Sequence, residues 1–241
     1  MVPLMRTMPL LFAMLAAAAP VSAAERRYSI GDFDRVDIQG PYEVRIVTGS
    51  PSSSARATGD QASLDRVSVD VQGRTLRVRP NSSAWGGYPG DRPGPVTVEL
   101  STRDLRAVSV VGSGKASIDR VKGLRADLSV SGSGSLAAGS VDADTLVVSL
   151  LGSGRIALSG RTKLLRAAVQ GTGDLDGSAF QGEDVELAAD TAGTVTVGAV
   201  RTAKVRATGP GDVEIAGSPA CTLTGVSKAM VRCGRQGGSI R

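Results

Sequence analysis

The chain of 241 residues contains no histidine. That absence removes Ser-His-Asp and Cys-His nucleophile systems, His-ligated zinc and histidine general bases together. Any chemistry would have to run on carboxylates. Aromatic residues are nearly as scarce, with one Trp, three Tyr and three Phe. Nucleic-acid binding needs aromatic platforms and clustered cations. Here the basic residues are scattered singly, so the formal net charge of +5 is not a nucleic-acid signature. Past the N-terminus no apolar run approaches the ~18–20 residues needed to span a bilayer. Helical spacing of apolar residues is missing from the regular part of the chain.

The one long apolar run is N-terminal. Arg6 precedes the stretch Met8 to Ala19, and Val21-Ser22-Ala23 forms a small-residue cleavage site, with Ser22-Ala23-Ala24 almost as good. Residues 1–24 are expected to be a signal peptide, with residues 25–241 exported to a bacterial periplasm or beyond the cell. No cysteine follows the cleavage site, so a lipoprotein anchor is not expected. Losing Arg6 takes the charge from +5 to about +4, and the pI of about 9.6 favours anionic surfaces or glycans mildly.

What the chain has in quantity is glycine, 31 residues, and it recurs in register. Gly112-Ser113-Gly114 returns as Gly132-Ser133-Gly134, Gly152-Ser153-Gly154 and Gly171-Thr172-Gly173. Weaker copies follow at Thr191-Ala192-Gly193, Gly209-Pro210-Gly211 and Ser227-Lys228-Ala229. The third residues fall at 114, 134, 154, 173, 193, 211 and 229, a period of 18–20. A period that steady marks one coil of a stacked solenoid. Six residues before each third position stand Val108, Leu128, Val148, Ala167, Leu187, Val205 and Leu223; two after it stand Ala116, Leu136, Ile156, Leu175, Val195, Val213 and Val231. Both columns are apolar throughout, and polar residues alternate beside them, which is the strand signal.

The corner glycines Gly112, Gly114, Gly132, Gly134, Gly152, Gly154, Gly171, Gly173, Gly209 and Gly211 are expected to turn the chain in three residues, using the positive φ that a Cβ disfavours. A phosphate-cradling Gly-x-Gly would need a helix to follow, and none does. The prediction is an all-β, parallel β-solenoid of about seven 18–20-residue coils. At about 4.8 Å per coil it would be roughly 34 Å long, with a narrow aliphatic core.

The first half reads as less regular β. Short alternating strands at Val36/Ile38 and Tyr42/Val44/Ile46, one helical turn at Asp60–Leu64, and a Gln72-Gly73 hairpin tip suggest an entry cap and first coils. One domain covers 25–241, irregular over 28–100 and regular over 104–234. Residues 81–95 interrupt the pattern with the only Trp, Trp85, and with Tyr88, edged by Arg79 and Arg92. Gly94 precedes Gly114 by twenty residues, which places this insertion just before the regular coils. Exposed loop aromatics stack on sugars and anchor interfaces; alternatively the loop is a lid over the solenoid edge.

Cys221 and Cys233 fall on two inward columns on either side of the last corner, so in an exported protein they are expected to form a disulfide. One charged constellation stands out. Asp174 and Asp176 share outward columns with Asp212 and Glu214 two coils on, with Thr194 and Thr196 between, about 9–10 Å apart by strand spacing. Such a face is ordinarily a solvated surface. It also has the oxygen donors for Ca²⁺ and a separation near that of inverting glycosidases.

The segment Phe33-Asp-Arg-Val-Asp-Ile-Gln-Gly-Pro-Tyr-Glu-Val-Arg-Ile-Val-Thr-Gly49, the stretch Val67 to Val78 with its Gln-Gly tip, and the Val-x-Gly-Ser-Gly repeats together resemble the putative auto-transporter adhesin, head GIN domain family. The likeness covers roughly residues 30 to 218. It implies a β-solenoid-like fold and a surface or envelope role, and it brings no catalytic residues with it. The expectation is an exported, non-catalytic binding or structural module without a cofactor, meeting a glycan, envelope or protein partner. A carbohydrate-active enzyme and a calcium-stabilised scaffold are the alternatives.

Overall fold

The structure, a computed structural model, describes residues 24–81, 94–225 and 230–234. It is 73% strand and 3% helix, with a parallel β-solenoid of about six turns. In chain order the first part holds β1 (Ala24–Tyr28), β2 (Arg35–Gln39), β3 (Glu43–Thr48), β4 (Ser54–Gly59), α1 (Gln61–Asp65), β5 (Val67–Gln72), β6 (Thr75–Pro80) and β7 (Thr97–Thr102). The regular part follows with β8 (Ala107–Gly112), β9 (Lys115–Ile118), β10 (Val121–Gly132), β11 (Ser135–Gly152), β12 (Arg155–Gly171), β13 (Asp174–Thr191), β14 (Val195–Ala207), β15 (Asp212–Gly217), β16 (Ala220–Thr224) and β17 (Met230–Cys233).

From residue 107 onward, coils stack in sequence order with parallel registers. Leu128 pairs with Val108 and Val148, and Leu136 with Ala116 and Ile156, as the two apolar columns require. Burial along β11 shows that a coil has three sides rather than two. Leu136 and Ala138 are buried, then Val141 and Ala143, then Leu146, Val148 and Leu150. Alternation breaks at 139–140 and 144–145, where two successive residues stay out of the core. Those breaks are two bends, and the Gly-x-Gly corner is the third. The core is aliphatic, with Phe33 and Phe180 also buried.

The two corner glycines do different jobs, which corrects the expectation that both supply positive φ. Gly132 has φ +119, whereas Gly134 has no positive φ. A Cβ on Gly134 would meet the Gly114 carbonyl oxygen of the preceding coil at 2.6 Å and Val110 Cγ1 at 2.9 Å. The first glycine turns the chain and also lies close to the preceding coil, its Cβ position 2.6 Å from Gly112 O; the second serves close approach alone. The same split in φ holds at 112/114, 152/154 and 171/173, while at 209 and 211 both glycines act by close approach alone. The corner amides are already spent: Ser133 N and Gly134 N donate to Gly112 O at 3.0 and 2.8 Å.

The first part is threaded out of order. β2 pairs in parallel with β8 on one side and β6 on the other, and β3 likewise lies between β9 and β7. The coil next to the Gly112–Gly114 corner is therefore the one turning at Gly40, not the one leading in from Gly94. β6 and β7 form the outermost coil. Its free edges are covered by antiparallel strands, β5 on β6 and β4 on β7, with β1 beyond β4. The parallel stack thus passes into antiparallel strands at this end, where β1 and β5 each have a single strand partner among the described residues. Asp60 caps α1, accepting from Ser63 N at 2.8 Å and Ser63 Oγ at 2.6 Å.

Candidate functional site

Three places expected or suited for function lie on this frame. The first is the insertion. Trp85, Tyr88 and Arg92 lie outside the described residues. Its two ends do not: Asn81 and Gly94 sit where the outermost coil turns between β6 and β7. Arg79 on β6 is half-buried and pairs with Asp70 Oδ1 at 3.4 Å.

The second is the acidic face. Registers align Asp176 with Thr196 and Thr196 with Glu214, so the columns run as spaced in the sequence. The acids do not converge. Asp174 accepts from Thr194 N at 2.9 Å and pairs with Arg155 Nη2 at 2.9 Å, and these contacts hold its carboxyl below the usual range. Asp176 is also held low, by the Ser178 hydroxyl at 2.8 Å and the Ser178 amide at 3.2 Å. Glu214 lies 4.0 Å from Arg232 Nη2. Among the described residues no group of three or more Cys, Asp or Glu side chains is placed to hold a metal ion. A glycosidase acid needs a raised pKa, and Asp174 and Asp176 move the other way.

The third place is one the sequence does not single out. The outer surface of the side that precedes each Gly-x-Gly corner carries one small residue per coil: Ser109, Ser129, Ser149, Ala168 and Ala188. A shallow groove of about 500 Å³ runs over Val147, Ser149, Ala168 and Ala188. One wall is a charged rail in which Glu186 accepts from Arg166 Nε at 3.0 Å and meets Lys204 Nζ at 3.9 Å. On the other side Leu151 stands 52% exposed. The signal is present in the sequence as Ser109, Ser129 and Ser149, but Ala168 and Ala188 hide its continuation.

At the far end Cys221 and Cys233 are joined, Cα to Cα 6.5 Å, tying β16 to β17. Cys221 pairs in register with Ala203 and Cys233 with Ile215, both inward positions.

A family model described as "Putative auto-transporter adhesin, head GIN domain" matches residues 32–219. Solved structures share the fold. A putative adhesin from Bacteroides fragilis is 18% identical with a TM-score of 0.75, covering 91% of this chain and 96% of that one. A putative lipid binding protein from Parabacteroides distasonis is 22% identical with a TM-score of 0.67, covering 92% and 96%. A putative adhesin from Parabacteroides merdae is 19% identical with a TM-score of 0.67, covering 88% and 96%. Among curated proteins none matches the chain.

Proposed function

The chain belongs to the putative auto-transporter adhesin, head GIN domain family, and from that premise we propose that it is an exported, non-enzymatic envelope module that binds an extended glycan. The observation that carries this reading is the ladder of small outward residues from Ser109 to Ala188, with its charged rail and open groove. Small-molecule sites are concave and enclose most of the ligand. A groove that is shallow and repeats once per coil fits a linear polymer instead, lying along the stack. The short side chains bring the partner close to the sheet, and Arg166 and Lys204 give polar contacts along its length.

Export follows from the signal-peptide pattern of residues 1–24 and agrees with the disulfide, which persists in oxidising compartments. In this reading Trp85 and Tyr88, in the insertion between β6 and β7 in the sequence, add a second contact of aromatic ring on sugar face. Calcium has no part in this reading, in which Asp174 and Asp176 are engaged by protein partners.

The test is a glycan array probed with residues 25–241, with and without EDTA. The expected result is binding that survives EDTA and is lost in Ala168→Arg, whose stability stays within about 0.5 kcal/mol, as surface changes do. Binding unchanged in that variant would remove the ladder as the site.

A further inference from the structure

One inward column changes its chemistry along the axis. In successive coils it holds Ala126, Leu146, Leu165, Val185 and Ala203, all buried. Asp127 pairs with Ala107, which places Arg106 beside Ala126; Arg35 pairs with both Ala107 and Thr75, which places Asp34 between Arg106 and Arg74. The backbone agrees, with Asp34 N donating to Arg74 O at 3.1 Å and Arg106 N donating to Asp34 O at 2.8 Å. A hydrophobic column thus ends in an Arg-Asp-Arg ladder.

The Asp34 side chain is only 6% exposed, while those of Arg74 and Arg106 are 65% and 68% exposed. Asp34 Oδ2 accepts from Arg74 Nε at 3.0 Å and lies 3.6 Å from Arg106 Nε. Both guanidiniums turn Nε toward the carboxylate, which leaves their Nη groups for something else. Neither arginine has a second acidic partner among the described residues, and Arg35 has none there at all. Asp34 Oδ1 is buried without a donor. These residues and Thr75 line a polar cavity of about 470 Å³.

We propose that this cavity is a binding site for a phosphate-type oxyanion. Two guanidiniums contact the one carboxylate and Arg35 lines the cavity with them, an excess of two positive charges that an anion relieves. Asp34 is the positioning residue: by holding both Nε groups it aims the Nη edges of Arg74 and Arg106 outward, the geometry that binds two oxygens of a phosphate. Arg35 supplies the third cation. Phosphate oxygens are more basic than those of sulfate and so accept more strongly from guanidinium N–H groups. The site lies at the starts of β2, β6 and β8 and shares no residue with the groove over Val147, Ser149, Ala168 and Ala188, so it is independent of the glycan reading.

Titration calorimetry of residues 25–241 tests the site, using inorganic phosphate, glycerol phosphate, sulfate and vesicles containing phosphatidic acid, at matched ionic strength. Inorganic phosphate is expected to bind more tightly than sulfate. Glycerol phosphate and the vesicles then tell whether the anion is free or part of a larger molecule. Arg35→Gln should weaken phosphate binding at least about tenfold, the loss of one charge-assisted contact, without changing the melting temperature. Asp34→Asn should weaken it similarly through misaligned guanidiniums, and Asp34→Glu should recover part of the loss. Phosphate binding no tighter than sulfate, or unchanged in Arg35→Gln, would overturn the proposal.

Discussion

The two parts of the solenoid solve the same problem by different means. From Ala107 to Cys233 each coil lies on the one before it, so a repeated apolar column and a repeated corner set the register. From Ala24 to Thr102 neighbours in space, the β5–β6 hairpin apart, are not neighbours in sequence, with β2 and β3 wedged between coils that come later in the chain. There the corner motif is reduced to Gly40, and alternating Val and Ile fit any parallel neighbour. A charged ladder, Arg106, Asp34 and Arg74, marks which coils belong together. Buried ion pairs add little net stability, and their best-attested use is to fix register. The regular part gains uniqueness from shape, and the N-terminal part gains it from charge.

The contrast can be probed first at glycines. Gly132→Ala should cost on the order of 3–5 kcal/mol, because it combines an unfavourable φ with overpacking: the new Cβ would lie 2.6 Å from Gly112 O. Gly73→Ala at the β5–β6 tip, with φ +63 but nothing within 4 Å, should cost only about 1 kcal/mol. Urea denaturation of both variants checks this, and equal losses would show that corner stacking contributes nothing beyond φ.

Removing the disulfide with Cys221→Ser and Cys233→Ser should lower stability by about 2–3 kcal/mol. Hydrogen exchange should quicken in β16 and β17 while the N-terminal cap stays protected. Intact mass before and after reduction reports the bond itself.

Asp34→Asn should cost about 1–2 kcal/mol, less than a fully buried pair because both arginines are largely exposed. Loosening should show in β2 and β6 before β12 and β13. A uniform loss across the stack would mean the ladder does not select coil neighbours.

The smallest effect is on pH dependence. Asp174 and Asp176 have lowered pKa values in the folded chain, so their contribution is present above the unfolded carboxylate pKa of about 4 and is lost as pH falls through the folded values. Melting curves should fall in acid, and Asp174→Asn should flatten that fall. For the insertion, Trp85→Ala is expected to leave melting unchanged and to weaken glycan binding; a large stability loss with unaltered binding would make it a lid.

Much of the fold is legible in the residues alone. The Gly-x-Gly spacing, the columns through Leu128 and Leu136, the helical turn at Asp60–Leu64 and the hairpin at Gly73 all follow from short-range rules that act within a few residues. The third side of each coil is not legible in that way, because runs as short as Val141 to Ala143 are too brief to show a period. The small-residue ladder is half visible, since Ser149 and Ala168 differ in polarity yet share a size.

By itself, then, the sequence determined the solenoid, its period, its core columns and the pairing of Cys221 with Cys233, because a repeat states the same local conformation at every coil. Only the tertiary structure decided that β2 and β3 enter between later coils, that Gly134 is needed for approach rather than φ, and that Asp34 meets Arg74 and Arg106. Each is a contact between segments far apart in the chain. Alternating strands do not name their neighbours, and what does is the fit of side chains and charges once the coils are stacked.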